Sequence, residues 1–285
     1  MTEILVTLSD LTIPLSLRYP ETARFFPAFD PAAPRAAIAP AYMSDPEWRD
    51  FLALGMADDA HSESNALTGK CSDVLIPFDR VILHAVALRW RGFAWLIVAT
   101  SGVGKSTQYR MLDRLRPGEF TMICGDRPVL DFRGEQVTVW PSPWNGKERW
   151  SGAPASPLAG IIFLQRGEKN SLAALSEREA ILRAYPAWVY NAVDAAAVEK
   201  VAAFETKLLS SVPLWLLTAA TVPLTPSKAF PLRGRCPEGA DEVDPQDRER
   251  SFDDTCKPAD AALPDVSAST QLLLDSVFTE AILPR

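Results

Sequence analysis

The chain has 285 residues, of which 47% are hydrophobic and 23% charged, and a formal net charge of −7. Such a length holds one large α/β domain or two modest ones, each able to bury a core. The acidic balance argues against general nucleic-acid binding, because the average surface repels a polyanion, but it leaves room for a local basic pocket.

In chain order, a strand is expected at Ile4 to Leu8, followed by an Ala/Pro stretch from Pro31 to Pro40. A helix over 46–58, capped by Asp45, would bury Trp48, Phe51, Leu52 and Leu54. Residues 1–75 therefore read as an N-terminal layer or small subdomain, and 76–220 as the nucleotide-binding domain. Within the second, Val81 to Leu88 is a strand candidate, Arg91-Gly92 a turn and Phe93 to Val98 a short apolar strand. A helix over 107–115 places Met111, Leu112 and Leu115 on one side. Thr121 to Cys124 is a buried strand, and 129–132 with 135–140 flank Arg133-Gly134 as a hairpin. Ile161 to Leu164 is a strand ending in a turn over 166–170, and 176–184 is helical. Asp194 caps a longer helix carrying Val198, Val201, Phe204 and Leu208, and 213–217 returns as a strand. Residues 221–266 are rich in charge and proline and read as a flexible segment, with helical spacing regained over 267–285.

Between the strand at 93–98 and the helix at 107–115 lies Ala99-Thr100-Ser101-Gly102-Val103-Gly104-Lys105-Ser106-Thr107. This has the form G-x-x-x-x-G-K-[ST], with alanine for the first glycine. Gly102 and Gly104 permit backbone angles that turn several N–H groups toward one phosphate chain. Lys105 supplies a point charge for the outer phosphates, and Ser106 a hydroxyl for Mg²⁺. Ser101, Val103 and Thr107 complete the cradle, and the helix N-terminus favours an anion. A nucleoside triphosphate is the expected ligand.

Asp126 follows the strand at 121–124, where a carboxylate can hold Mg²⁺ or accept a substrate proton; a turn aspartate ahead of Arg127-Pro128 would look the same. His84 lies in an apolar strand, which suits either a core histidine or a group beside the phosphates. The segment Pro141 to Trp150 is dense in polar and aromatic residues. There Lys147, like Arg127, could stabilise phosphate charge and Glu148 could act as metal ligand or acid/base group, or the segment is a solvated loop with Trp144 and Trp150 packed inward.

Cys71, Cys124, Cys236 and Cys256 lack C-x-x-C spacing and are joined only by His61 and His84, so reduced thiols and no zinc site are expected. The opening Met1 to Val6 has no basic n-region, and no apolar run reaches bilayer-spanning length. The expectation is a cytoplasmic protein with neither membrane nor nucleic acid as a partner.

Taken in order, Leu83-His84-Ala85-Val86, Ser101 to Ser106, Gly125-Asp126-Arg127 and Pro143 to Glu148 resemble the C-terminal catalytic domain of HPr kinase/phosphorylase. That superfamily also holds ATP-dependent phosphoenolpyruvate carboxykinase and the kinases of lasso-peptide precursors. The resemblance spans roughly residues 60–215. It implies an α/β fold, a phosphate-loop core of mixed β-sheet with flanking helices, using ATP and Mg²⁺ to phosphorylate a hydroxyl. It also implies that Lys105 contacts the β- and γ-phosphates, that Ser106 binds Mg²⁺, that His84 lies near the reacting phosphate, and that Asp126 and Glu148 are the acidic and metal-proximal groups. Members of the family usually have two adjacent acids; here the doublet is Gly125-Asp126 or Asp126-Arg127. Asp126 must then cover both roles, or Glu148 or His84 must take one. No match to the HPr-binding C-terminal helices is present, so HPr is not the expected acceptor. A Ser/Thr hydroxyl of a peptide or protein leads, a small-molecule alcohol is second, and an ATP-binding protein without turnover is the reading of another class. Related enzymes assemble as homo-oligomers.

Overall fold

The computed structural model describes residues 1–27, 30–146, Glu148, 150–191, 194–220 and 267–278. It is a mixed α/β structure in which a multi-stranded mixed sheet is flanked by helices. The expected flexible segment at 221–266 lies outside the described residues, as do Lys147 and Arg149.

The N-terminal unit opens with an antiparallel hairpin, β1 (Thr2–Leu8) and β2 (Leu11–Leu17). Pro14 obscures β2 in the sequence, but a proline is tolerated in an edge strand, and both strands of a two-stranded ribbon are edges. A 3-10 turn (Pro20–Phe25) follows, then α1 (Asp45–Ala53) and α2 (Ala60–Leu75). The cap of α1 is Ser44 rather than Asp45. The Glu47 carboxylate accepts from the Ser44 N–H at 3.0 Å and its hydroxyl at 2.7 Å, closing a capping box. The chain leaves the helix at Leu54 and Gly55, whose φ is +83°, so the helix is shorter than expected. Helix α2, which polar residues disguise in the sequence, starts at Asp59, whose side chain accepts from the Ser62 N–H at 2.7 Å. Leu67, Cys71 and Leu75 of α2 share a core with the hairpin and with Ile82, Val129 and Trp144 of the rest of the chain.

The main sheet takes the remaining strands. The stretch expected as one strand is two, β3 (Arg80–Leu83) and β4 (Ala85–Trp90), broken at His84. The break is where the chain changes partners. β3 pairs with β7 (Val129–Asp131) and with the short β11 (Trp188–Val189), whereas β4 pairs with β5 (Phe93–Val98) and β6 (Phe120–Cys124). The turn from β4 to β5 has φ of +49° at Arg91 and +90° at Gly92, the paired positive angles of a two-residue hairpin. β7 also pairs with β8 (Thr138–Trp140), the expected hairpin.

β9 (Ser156–Gly167) is longer than the expected 161–164 because it serves two sets of partners. Its start pairs with β8 and the remainder runs parallel to β5 and to β12 (Leu214–Ala220), whose other edge takes β10 (Ser171–Ala174). Gly160 is needed here: a Cβ on it would lie 2.4 Å from the Trp95 ring, which crosses β9 at that point. Among the described residues, α3 (Lys105–Leu115), α4 (Glu177–Ala184), α5 (Ala195–Ser211) and α6 (Ser267–Ser276) flank the sheet. Asp194 caps α5 as expected, accepting from the Ala197 N–H at 2.6 Å, and Ser176 caps α4 rather than opening it. No helix among the described residues is long and apolar enough to cross a membrane.

Candidate functional site

The pairing directions decide which residues meet. β5 and β6 are both antiparallel to β4 and β9 is parallel to β5. The C-terminal ends of β5, β6 and β9 and the N-terminal end of β4 therefore share one edge of the sheet. The loop after β5, Asp126 after β6, His84 before β4 and Arg166 near the end of β9 all sit there.

The loop from Ala99 to Gly104 leads directly into α3. Gly102 has φ of +79° and Gly104, the residue before the helix, +123°; these angles favour glycine. Ser101 and Gly102 are exposed, and Val103, Ser106 and Thr107 half-buried. Lys105 opens α3 and turns back beneath the loop, where its ammonium donates to the Ala99 carbonyl at 2.8 Å and lies 3.1 Å from His84 Nε2. Lys105 is only 8% exposed. Burial presses its pKa below the ordinary lysine value, against the opposing pull of Asp126.

The same His84 nitrogen is 3.2 Å from Asp126 Oδ1. One ring nitrogen therefore stands between an ammonium and a carboxylate. It can donate to Asp126 or accept from Lys105, but not both at once. His84 is fixed from behind, its backbone N–H donating to Ala187 O at 2.7 Å. The Asp126 backbone is fixed as well: its carbonyl accepts from Ala85 N–H at 2.8 Å, and Arg127 N–H donates to Trp144 O at 3.1 Å. Burial alone would raise the Asp126 pKa. The His84 hydrogen bond and the charges of Arg127, His84 and Lys105 outweigh it, and the carboxyl is held below its ordinary value. Arg127 reaches Asp126 Oδ2 at 3.4 Å while its fork donates to Thr68 Oγ1 of α2 at 2.9 Å.

Glu148 is not drawn into this row. It is 3.1 Å from Arg110 of α3, whose guanidinium lies 5.0 Å from the Trp150 ring centre; Tyr109 packs on the same ring at 5.0 Å. Lys147, placed with it by the sequence, lies outside the described residues. Gly125, the residue before Asp126, has no room for a side chain. A Cβ there would lie 2.4 Å from the Asn145 carbonyl oxygen, because the loop from Pro143 to Gly146 rests directly on the Gly125 backbone.

Arg166, expected only in a turn, donates to the Gly102 carbonyl at 2.5 Å and to that of Val103 at 3.4 Å. An arginine at the end of a strand parallel to the loop strand is the signal that could have found it. On its other side Asp126 faces a cavity of about 880 Å³ between the Pro143–Gly146 loop and the N-terminal unit. Among the described residues no three His, Cys, Asp or Glu side chains gather as a metal-binding group. The Ser106 hydroxyl is unused by the described side chains, and Asp126 keeps 28% of its side chain exposed.

No protein-family profile matches the chain, and no curated protein matches it either. Among solved structures it is similar to the Hpr(Ser) kinase/phosphatase from Coxiella burnetii, at 13% identity over 48% of this chain and 83% of that one, with a TM-score of 0.28.

Proposed function

We propose that the chain is an ATP-dependent kinase of the HPr-kinase-like type, transferring the γ-phosphoryl group to a hydroxyl. One observation carries this reading. A glycine loop running into the N-terminus of α3 brings its lysine into a continuous row with His84 and Asp126. Loop N–H groups and Lys105 suit the triphosphate, and the helix N-terminus adds favourable potential. On binding, Lys105 exchanges the Ala99 carbonyl and His84 for phosphate oxygens. His84 Nε2 is then released to donate to Asp126 alone.

The donor set fits Mg²⁺. Ser106 Oγ and Asp126 are hard oxygen groups, and Mg²⁺ needs only one or two protein ligands when phosphates and water complete its shell. Bound there, the ion neutralises charge on the phosphates. Glu148, committed to Arg110, is left out of that set. Asp126 accepts the proton of the acceptor hydroxyl as its oxygen bonds to the γ-phosphorus. The bond from that phosphorus to the bridging oxygen breaks, and ADP leaves with the electron pair. Arg127 and His84 keep the carboxylate ionised and aimed.

The test is turnover of γ-labelled ATP with Mg²⁺ and a serine-containing peptide mixture. Asp126→Asn is expected to lower transfer by roughly 100-fold or more with ATP affinity retained within a few-fold. A rate within a few-fold of wild type would remove Asp126 from the role of base. The lack of space for an acid at Gly125 favours a second reading, an ATP-binding protein without turnover. ATP bound tightly with no label passed to any acceptor or to water would select it.

A further inference from the structure

The cavity beside Asp126 has walls of two origins. Asp126 and the aromatic face of Trp144 come from the sheet side, whereas Arg24, Phe25, His61 and Asn65 come from the N-terminal unit. Asp126, whose carboxylate ends the Lys105–His84 row, is one of the residues that line the cavity. Two contacts tie its walls together: the Trp144 indole N–H donates to the Ser64 carbonyl at 2.8 Å, and Phe26 packs edge-on against the same ring at 5.7 Å.

Its charge is polarised. Arg24 is exposed, lies 4.9 Å from the Phe25 ring centre, and has no carboxylate partner among the described residues. His61 stands edge-on to the other part of that aromatic wall at 5.5 Å and is 3.2 Å from the Asn65 amide nitrogen. Among the described residues Asp126 is the one acid lining the cavity, and the Asn145 side-chain oxygen is buried with no donor among them. A guanidinium contributed by one unit and a carboxylate by the other would orient a ligand that is anionic at one end and a hydrogen-bond donor at the other.

We infer that this cavity is the acceptor site, and that the acceptor is an alcohol that also carries an acidic group. The hydroxyl points to Asp126 and the acidic group to Arg24. That chemistry belongs equally to a serine flanked by acidic residues in a peptide and to a free hydroxy acid. The assignment rests on the kinase reading for the direction of transfer, but the binding it requires can be measured without nucleotide.

Saturation-transfer NMR on the full chain would use three probes: a blocked Glu-Ser-Glu tripeptide, its Lys-Ser-Lys counterpart and free glycerate. Mg·ATP affinity is measured separately on the same samples. The acidic tripeptide or glycerate is expected to bind in preference to the basic peptide, and whichever binds identifies the source of the acceptor. Arg24→Glu, an exposed change away from the Lys105 row, is expected to weaken that binding by roughly tenfold or more, as loss of a charged hydrogen bond would, with Mg·ATP affinity unchanged. Binding of no acidic probe, or acidic-probe binding within twofold of wild type in Arg24→Glu, would overturn the acceptor site. If Mg·ATP fails to bind while the acidic probe does so through Arg24, the nucleotide reading fails and the anion-selective cavity stands.

Discussion

His84 Nε2 lies between Lys105 and Asp126, so removing its side chain changes both neighbours. Burial works to raise the Asp126 pKa, and the His84 hydrogen bond is the largest of the contributions that lower it. The Asp126 carboxyl in His84→Leu is therefore expected to titrate at higher pH than in wild type, read from its side-chain carbon by NMR. An unmoved midpoint would show that Arg127 and Lys105 alone hold it down. The sign for stability follows. A carboxyl whose folded pKa lies below its unfolded value stabilises the fold above the unfolded value, and that contribution fades as pH falls through the folded one. Gly125 offers a second residue-level check. Gly125→Ala forces a Cβ against the Asn145 carbonyl at 2.4 Å, an overpacking expected to cost ~1–3 kcal/mol. Thermal melts would register it, and a melting temperature equal to wild type would mean that the Pro143–Gly146 loop yields freely. Asp126 and the loop residues were legible in the sequence because their spacing follows strand, turn and helix. The role of Gly125 was not, because the backbone that excludes a side chain there comes from a loop 20 positions away in sequence, at Asn145.

Capping at the level of elements was readable at Asp194, whereas Ser176, read as helical, is the cap of α4. It failed by one residue at α1, where Ser44, not Asp45, closes the box with Glu47. The Lys70 ammonium, then the Ser44 hydroxyl and N–H, hold the Glu47 carboxyl down to about 2. Glu47→Gln is accordingly expected to destabilise the protein at neutral pH. The difference from wild type should shrink as pH falls from the unfolded value, near 4.5, toward about 2. Urea unfolding of both proteins at several pH values measures this, and a pH-independent difference would contradict it. β3, β4 and β9 carried information the sequence could not display. A strand that changes partners at His84, or one that serves two neighbours in turn, has no periodicity of its own.

For the whole molecule, α6 ties the far end of the chain to the helix of the glycine loop. Gln108 of α3 donates to Ser269 Oγ at 2.9 Å and accepts from Thr270 Oγ1 at 2.8 Å, all three buried. Phe278 packs against Trp90, Trp95 and Phe120 at 5.4, 5.0 and 4.8 Å. Phe278→Ala is expected to cost ~3–5 kcal/mol. A loss under ~1 kcal/mol in chemical denaturation would show that α6 adds little to the fold. The sheet edge that gathers His84, the loop, Asp126 and Arg166 depends on strand directions fixed only by long-range pairing, so composition and spacing could suggest its members but not their contacts.

The proposed function requires that the Ala99–Thr107 loop bind Mg·ATP through Lys105. Calorimetric titration of Mg·ATP into the full chain and into Lys105→Ala measures this. Saturable one-site binding to the wild type is expected, with an affinity lower by roughly 100-fold or more in the variant, as loss of a desolvated charge on phosphate implies. No binding to the wild type, or equal binding to both proteins, would contradict it.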